Sequence, residues 1–199
     1  MERRAITDRF DGKAAIVTGG SFGIGRAITE ELCREGAAVV FSGIEPEGAE
    51  AEAEMKAAGY NVRFCLGDHM QENFCRTVVD TAVETFGAVN YLVNNAFSFN
   101  AAGLDATVED WERSLFVGPV GYARMTQFAA TPMKNAGGGA ILNISSISAN
   151  IAQGNRWTYN ASKGAVSQLT RCQALDLSPF NIRVNSISPG WTWTREVIK

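Results

Sequence analysis

Six short runs of apolar, largely β-branched residues recur along the chain, and each is separated from the next by a segment long enough for a helix. The runs lie at 14–18, 37–42, 61–66, 89–95, 139–146 and 182–188. They are nearly continuous in apolar residues and do not alternate with polar ones, which is typical of strands covered on both faces of a parallel sheet. Strands that alternate with helices predict a doubly wound α/β fold of three layers.

Composition limits the partners that such a fold could have. The 199 residues are 46% hydrophobic and 20% charged, which favours one substantial core, and we expect a single domain over 1–199. A net charge of -3 without a basic block gives no footprint for nucleic acid or an anionic membrane surface. No run approaches the ~20 apolar residues of a membrane span. We therefore expect small-molecule partners or further copies of this chain, and a cytoplasmic location.

The cysteines and the single histidine favour neither a metal site nor a disulfide framework. Cys33, Cys65, Cys75 and Cys172 are scattered without a CxxC pair, and His69 is the one histidine. This pattern predicts free thiols in a reducing cytosol.

A glycine-rich segment, TGGSFGIGRAITEELCREG, follows the first apolar run and contains Gly19, Gly23 and Gly25. Glycine lets the backbone turn sharply and approach a diphosphate, whose negative charge is attracted by the N–H groups at a helix start. The segment therefore predicts a dinucleotide-binding turn.

The same letters also fit the GxSxG elbow of α/β hydrolases, with Ser21 as the nucleophile. That interpretation needs an acid and a histidine that reach the serine. Asp68 and His69 are adjacent in sequence, so they cannot easily form a pair that also reaches Ser21. The hydrolase is a weak alternative.

Tyr159 and Lys163 are four residues apart in a predicted helix, so their side chains share one face. On spacing alone, a solvated surface pair is the simpler interpretation. A free tyrosine, with a pKa of about 10, is only about 0.1% ionised at pH 7, so making it a ready base requires about 4 kcal/mol. A positive charge ~4 Å away supplies about that much at an effective dielectric constant of ~20.

Taken in order, the motifs resemble those of the short-chain dehydrogenase/reductase family across essentially the whole chain. Thr18-Gly19 with Gly23-Ile24-Gly25 is similar to TGxxxGxG, and Asn94-Asn95-Ala96 is similar to NNAG. The remaining matches are Asp68 after the third strand, Ser146, the YxxxK pair Tyr159 and Lys163, and Pro189-Gly190 with Thr194.

The resemblance implies a Rossmann-like fold and an NAD(P)-dependent oxidoreductase that interconverts a secondary alcohol and a ketone by hydride transfer. Tyr159 would be the general acid/base, Lys163 would supply positive charge, and Ser146 would hold the substrate oxygen. The cofactor would contact Gly19, Ser21, Phe22, Gly23, Ile24, Gly25, Asp68, Asn95, Ala96, Tyr159, Lys163, Pro189, Gly190 and Thr194. The resemblance also implies a homodimer or homotetramer formed through helices at 111–130 and 159–177.

Two residues depart from the family pattern. Gly118 stands seven residues after Trp111, where the family has an asparagine that takes part in a proton relay, and Phe97 stands where NNAG has glycine. Either the relay has lost its side chain, which predicts weakened or rerouted proton transfer, or Gly118 is required by packing near Pro119, which could open the helix. Phe97 requires a backbone without positive φ and would narrow the floor of the cofactor site.

The choice between NAD and NADP depends on the residues that follow the second strand and on Phe22. The second strand ends at Gly43, followed by Ile44 and Glu45, and Phe22 stands where an NADP enzyme often has a basic residue. With Glu45 and Glu47 nearby and no evident cation for a 2′-phosphate, NAD is slightly favoured.

The sequence ends at Lys199, where family members usually continue into a substrate lid and a seventh strand, so we expect the sixth strand to be an unpaired edge. An alternative function is a dinucleotide-binding protein that is catalytically weak or inactive. Substrate identity cannot be read from the sequence, although Phe97, Phe99, Gln153 and Trp157 predict a partly apolar pocket.

Overall fold

A computed structural model describes residues 8–194 and contains six parallel strands in the order β3-β2-β1-β4-β5-β6. The strands are β1 (Ala14–Val17), β2 (Ala38–Gly43), β3 (Val62–Leu66), β4 (Tyr91–Asn94), β5 (Gly139–Ile144) and β6 (Ile182–Ile187). Every predicted strand is present, with its ends within two residues of the prediction. In the described sheet, β3 and β6 are the two edge strands.

Helices cover both faces of the sheet, which confirms the three-layer, doubly wound fold. They are α1 (Gly23–Arg34), α2 (Gly48–Ala57), α3 (Glu72–Phe86), α4 (Val108–Leu115), α5 (Gly121–Asn135) and α6 (Trp157–Leu177). One core joins the sheet to α3, α5 and α6, and the other joins it to α1 and α2. Neighbours on β1 divide between them, since Ile16 lies in the first core and Val17 in the second. This division explains why the strands are apolar without alternation.

A break in helical geometry separates α4 from α5. Residues Phe116–Val120 form a π-helical turn in which Gly118 has φ -75° and ψ -113°, outside helical values. Pro119 lacks a backbone N–H, and its ring would clash with the carbonyl one turn earlier in an unbroken helix. The expected opening at Pro119 is therefore present.

Within residues 8–194, no helix is both long enough and apolar enough to cross a membrane. The same part of the chain holds no cluster of His, Cys, Asp and Glu side chains suited to a metal ion, and its four cysteines are free.

Candidate active site

The site lies at the carboxyl ends of β1 and β4, where the strand order reverses and open α/β sheets bind ligands in a crevice. A cavity of about 720 Å³ opens at this point. All the residues predicted for catalysis or cofactor binding line it: Gly19, Ser21, Phe22, Gly23, Ile24, Gly25, Asp68, Asn95, Ala96, Ser146, Tyr159, Lys163, Pro189, Gly190 and Thr194. The fold thus brings together side chains that are up to 175 positions apart, from Gly19 to Thr194.

The glycine-rich turn after β1 is crowded by backbone. Gly19 has φ +65°, and a Cβ on it would lie 2.9 Å from the Cα of Ala96. A Cβ on Gly25 would lie 2.1 Å from the carbonyl oxygen of Gly19. Neither obstacle is a movable side chain, so the turn requires glycine at both positions.

The same turn presents unpaired polar groups that fit a dinucleotide. α1 begins at Gly23 without a side-chain cap, which leaves its first N–H groups available to a diphosphate. The Ser21 hydroxyl is buried and has no hydrogen-bond partner among the described residues. A buried hydroxyl without a partner is unfavourable, and a bound phosphate oxygen would satisfy it.

The hydrolase alternative is wrong, because His69 does not contact Ser21. Nε2 of His69 lies 2.8 Å from the Ser42 hydroxyl, and Nδ1 lies 3.5 Å from the Cys75 sulfur. Burial lowers the pKa of His69 to about 4. The histidine is therefore a neutral core residue with both ring nitrogens engaged.

Asn95 ties the end of β4 to the glycine-rich turn. Its side-chain Nδ2 donates to the carbonyl oxygens of Thr18 and Gly19, each at 3.0 Å. The Thr18 hydroxyl accepts from the backbone N–H groups of Asn95 and Ala96, at 2.9 and 3.0 Å. The Asn95 side chain thus supports the turn, and its predicted contact with a cofactor stays a prediction.

Asp68 is held by an arginine that the sequence did not indicate. Its Oδ2 accepts from Nη1 of Arg113 at 2.6 Å, and its Oδ1 accepts from the backbone N–H of Met70 at 3.0 Å. Arg113 lies on α4, 45 positions away in sequence. Each carboxylate oxygen retains a second lone pair for a further donor, and the contact of Asp68 with adenine stays a prediction.

Ser146 and Tyr159 lie on opposite sides of the loop between β5 and α6. The Ser146 hydroxyl accepts from the backbone N–H of Ser148 at 3.1 Å, which fixes its position at the end of β5. The Tyr159 ring contacts two other rings: it stacks on Phe99 with 5.7 Å between centroids, and it meets Phe97 edge-on at 5.2 Å.

Lys163 is buried in an aromatic and carbonyl environment. Its ammonium donates to the carbonyl oxygen of Ile144 at 2.9 Å, and lies 4.0 Å from the ring centroid of Phe97 and 5.8 Å from that of Tyr159. Burial lowers the pKa of Lys163 to about 7. With Tyr159 8% exposed and Lys163 3% exposed, the solvated-pair interpretation is wrong. No sequence signal marks the Ile144 carbonyl, since any residue would supply it.

The two departures from the family pattern meet in space. Phe97 lies outside the left-handed region, since positive φ at described non-glycine residues is confined to Asn155 and Asn181. A Cβ on Gly118 would lie 2.7 Å from Cε2 of Phe97. The packing interpretation of Gly118 is therefore supported, because an asparagine there would collide with the Phe97 ring as it stands.

The predicted apolar pocket is correct for three residues and wrong for the fourth. Phe97, Phe99 and Gln153 line the cavity, whereas Trp157 is 52% exposed and lies outside the lining. Trp157 precedes Tyr159 by two helical positions, which is about 200° around the helix, so the two cannot face the same way. The cavity wall is completed instead by Trp191.

Comparisons with known proteins identify the family. A family profile described as short chain dehydrogenase matches residues 13–198. The NADP-dependent (R)-specific alcohol dehydrogenase of Lentilactobacillus kefiri is 38% identical, over 95% of this chain and 77% of that protein. The 3-alpha-(or 20-beta)-hydroxysteroid dehydrogenase of Mycobacterium tuberculosis is 40% identical, over 93% and 71%.

A solved structure gives the same result. The structure of 7α-hydroxysteroid dehydrogenase complexed with NADH and 7-oxo glycochenodeoxycholic acid matches with a TM-score of 0.93 and 33% identity, covering 100% of this chain and 78% of that one. The chain therefore belongs to the short-chain dehydrogenase/reductase family of oxidoreductases.

Proposed function

We propose that this protein interconverts a secondary alcohol and its ketone by NAD(P)-dependent hydride transfer, with Tyr159 as the general acid/base. The observation that carries the proposal is the placement of Ser146, Tyr159 and Lys163 in one cavity with the glycine-rich turn. Tyr159 and Lys163 are both buried beside a turn that fits a diphosphate, which is not expected of a surface pair.

The residues divide the chemistry among them. Tyr159 takes the alcohol proton in oxidation and returns it in reduction. Ser146, fixed by its bond from Ser148, holds the substrate oxygen beside the tyrosine. A nicotinamide dinucleotide, when bound, supplies the centre that accepts or gives the hydride.

Lys163 makes the proton transfer feasible by favouring the phenolate. At ~6 Å and an effective dielectric constant of ~20, a unit charge stabilises a phenolate by roughly 3 kcal/mol. The ammonium lies 5.8 Å from the Tyr159 ring centroid, so it is placed to stabilise negative charge on the tyrosine as the proton leaves. A lysine pKa lowered to about 7 leaves a substantial charged fraction near neutral pH.

We propose NAD as the preferred cofactor. Glu45 lines the cavity at the end of β2, where an acidic residue suits the ribose hydroxyls and opposes a 2′-phosphate. Phe22 also lines the cavity and offers no cation. Within residues 8–194, the three cationic lining residues have other neighbours: Arg113 pairs with Asp68, Lys163 lies beside Tyr159, and Arg156 lies over the Trp191 ring.

The relatives and the cavity wall support a proposal for the substrate class. The named relatives are alcohol and hydroxysteroid dehydrogenases. In this chain, the exposed ring of Phe99, stacked on Tyr159, gives the cavity an apolar surface next to the reacting hydroxyl. We therefore propose a secondary alcohol with an apolar body as the substrate.

The second candidate is a dinucleotide-binding protein without turnover, favoured by the absence of a side chain at Gly118 and by the presence of Phe97. Two measurements on the same sample separate the candidates: fluorescence titration with NADH and NADPH, and nicotinamide absorbance with a panel of secondary alcohols and ketones. Binding with turnover supports the dehydrogenase. Binding without turnover on any member of a broad panel supports the second candidate. The absence of both binding and turnover would contradict both candidates.

We also propose a homodimer or homotetramer that uses α6 and the helices at 111–130. The solvent-facing side of α6 carries Leu175, which is 75% exposed, together with Ala161 and Cys172. Val166, which the sequence placed among the residues available for this contact, is instead fully buried, because it lies three positions from Lys163 on the inward face. Sedimentation should show a dimer or tetramer at micromolar concentration, and Leu175→Glu should shift it towards monomer. A monomer in the unsubstituted protein would contradict the assembly.

A further inference from the structure

We propose that Phe97 and Gly118 are a complementary pair in which the Phe97 ring fills the space of a side chain at position 118 and positions the Lys163 ammonium against its π face. The inference rests on the proposed function only for the catalytic consequence of that position. The contacts themselves are independent of it.

The Phe97 ring occupies the space next to Gly118. The three atoms nearest to a Cβ on Gly118 all belong to the Phe97 ring, at 2.7, 3.4 and 3.7 Å. Backbone atoms of other elements are not among them. The space at position 118 is therefore limited by one side chain, 21 positions earlier in sequence, which distinguishes this glycine from those of the glycine-rich turn.

The Phe97 ring also lies next to the buried charge of Lys163. Lys163 Nζ lies 4.0 Å from the Phe97 ring centroid, well within the ~6 Å over which a ring attracts a cation. Its other aromatic neighbours, Tyr159 and Tyr122, are further away, at 5.8 and 5.9 Å. Among the described ion pairs, none includes Lys163, and the Ile144 carbonyl accepts one of its three N–H groups. The Phe97 ring is thus the closest group that can favour the charged form after Ile144.

The contacts of Phe97 with position 118 and with Lys163 explain why Phe97 and Gly118 occur together. A large residue at 97 with a side chain at 118 would overfill the space, and a small residue at 97 with glycine at 118 would leave the ammonium beside a void. With Phe97 and Gly118, the Phe97 ring alone fills the space next to position 118 and also contacts the Lys163 ammonium. Phe97 is therefore a positioning residue that acts through Lys163.

A double-mutant cycle in melting temperature tests the steric part without any need for turnover. Gly118→Ala should lower the melting temperature by roughly 2–10 °C in the otherwise unchanged protein, and by much less in the Phe97→Gly background. Phe97→Leu provides a second background if Phe97→Gly does not fold. Gly154→Ala is the matched control, because a Cβ there meets nothing within 4 Å, and its effect should add to that of Phe97→Gly.

The charge part is tested by replacing the ring. Phe97→Leu keeps an apolar side chain and removes the π face, whereas Phe97→Tyr keeps it. The ring-current shift of the Lys163 ε-methylene signals, assigned with Lys163→Met, should disappear in Phe97→Leu and persist in Phe97→Tyr. In the active enzyme, Phe97→Leu should lower kcat roughly 10-fold with a smaller change in KM, and Phe97→Tyr should retain kcat within about 3-fold.

The outcomes separate this inference from the proposed function. A protein without turnover that shows the coupled melting temperatures and the ring-current shift contradicts the dehydrogenase and supports the pair. An active enzyme in which Gly118→Ala is equally harmful with and without Phe97 contradicts the pair, because the backbone would then be the cause. Lys163 signals and kcat that are unchanged in Phe97→Leu would overturn the positioning role.

Discussion

Gly25 lines the cavity, whereas Gly118 contacts the lining residue Phe97, and both glycines exclude a Cβ, but for different reasons. Gly25 is limited by the carbonyl oxygen of Gly19, at 2.1 Å, and Gly118 by the ring of Phe97, at 2.7 Å. Backbone cannot be replaced by mutation, whereas a ring can. The comparison shows that one glycine is fixed by the fold of the turn and the other by the identity of a single partner.

The largest effect on cofactor affinity should come from adding a methyl group at Gly25. Gly25→Ala would push the glycine-rich turn away from the position that accommodates a diphosphate, and we expect the Kd for NADH to rise roughly 100-fold or more. The check is fluorescence titration of NADH.

The partner variant for this test is Asn95→Ala. It removes the side chain whose Nδ2 lies 2.5 Å from a Cβ on Gly25 but leaves the Gly19 carbonyl in place. Gly25→Ala should therefore stay defective with Asn95→Ala, in contrast to the rescue of Gly118→Ala. Full recovery of NADH affinity would show that Gly25 too is limited by a side chain.

The second prediction concerns the buried charge of Lys163, which lies beside Phe97, and its cost in stability. Burial lowers the pKa of Lys163 from 10.5 to about 7, so between these values the unfolded chain binds more protons than the folded protein. Stability should rise over this window as pH increases. Lys163→Met removes the titration and should be more stable below pH 7, by on the order of 2 kcal/mol, since the Phe97 ring offsets part of the burial cost.

Urea unfolding of both proteins from pH 6 to pH 10 gives the comparison directly. The difference in the free energy of unfolding should shrink as pH rises towards 10. Parallel curves at all pH values would mean that Lys163 is not held in a buried, charge-disfavouring environment.

The smallest expected effect is a change in cofactor preference caused by a substitution in the glycine-rich turn. Phe22→Arg would place a cation near the carboxyl end of β2, where a 2′-phosphate would lie, and should raise the affinity for NADPH relative to NADH roughly 10-fold. Phe22→Leu is the control for loss of the ring. An unchanged ratio of the two Kd values in Phe22→Arg would contradict the assignment of this end of the cavity to the adenosine ribose.

The same contrast explains how much could be predicted from sequence. The sheet was predicted from the apolar runs and is confirmed. The glycine-rich turn was predicted from glycine spacing, and Ser146, Tyr159 and Lys163 from the family resemblance; they line one cavity, and their roles stay predictions. The Arg113 contact with Asp68 and the Phe97 contact with Gly118 depend on side chains that meet only after folding, so no local pattern indicates them.

Two further residues show where local reasoning was insufficient. Trp157 was predicted to be part of the apolar pocket, although helical geometry directs it away from the side that Tyr159 occupies. The Ile144 carbonyl, which accepts from Lys163, carries no side-chain signal at all. Backbone acceptors of this kind become visible only when the orientation of the strand is known.

In the proposed mechanism the Tyr159 hydroxyl exchanges its proton with the substrate and is not required for cofactor affinity, and a single substitution tests this role. In Tyr159→Phe, single-turnover hydride transfer should fall roughly 10²–10⁴-fold, while the Kd for NADH stays within about 3-fold, because only the hydroxyl is lost. Tyr60→Phe, at a tyrosine outside the cavity lining, should leave both values unchanged. Hydride transfer in Tyr159→Phe at the rate of the unsubstituted protein would contradict the account.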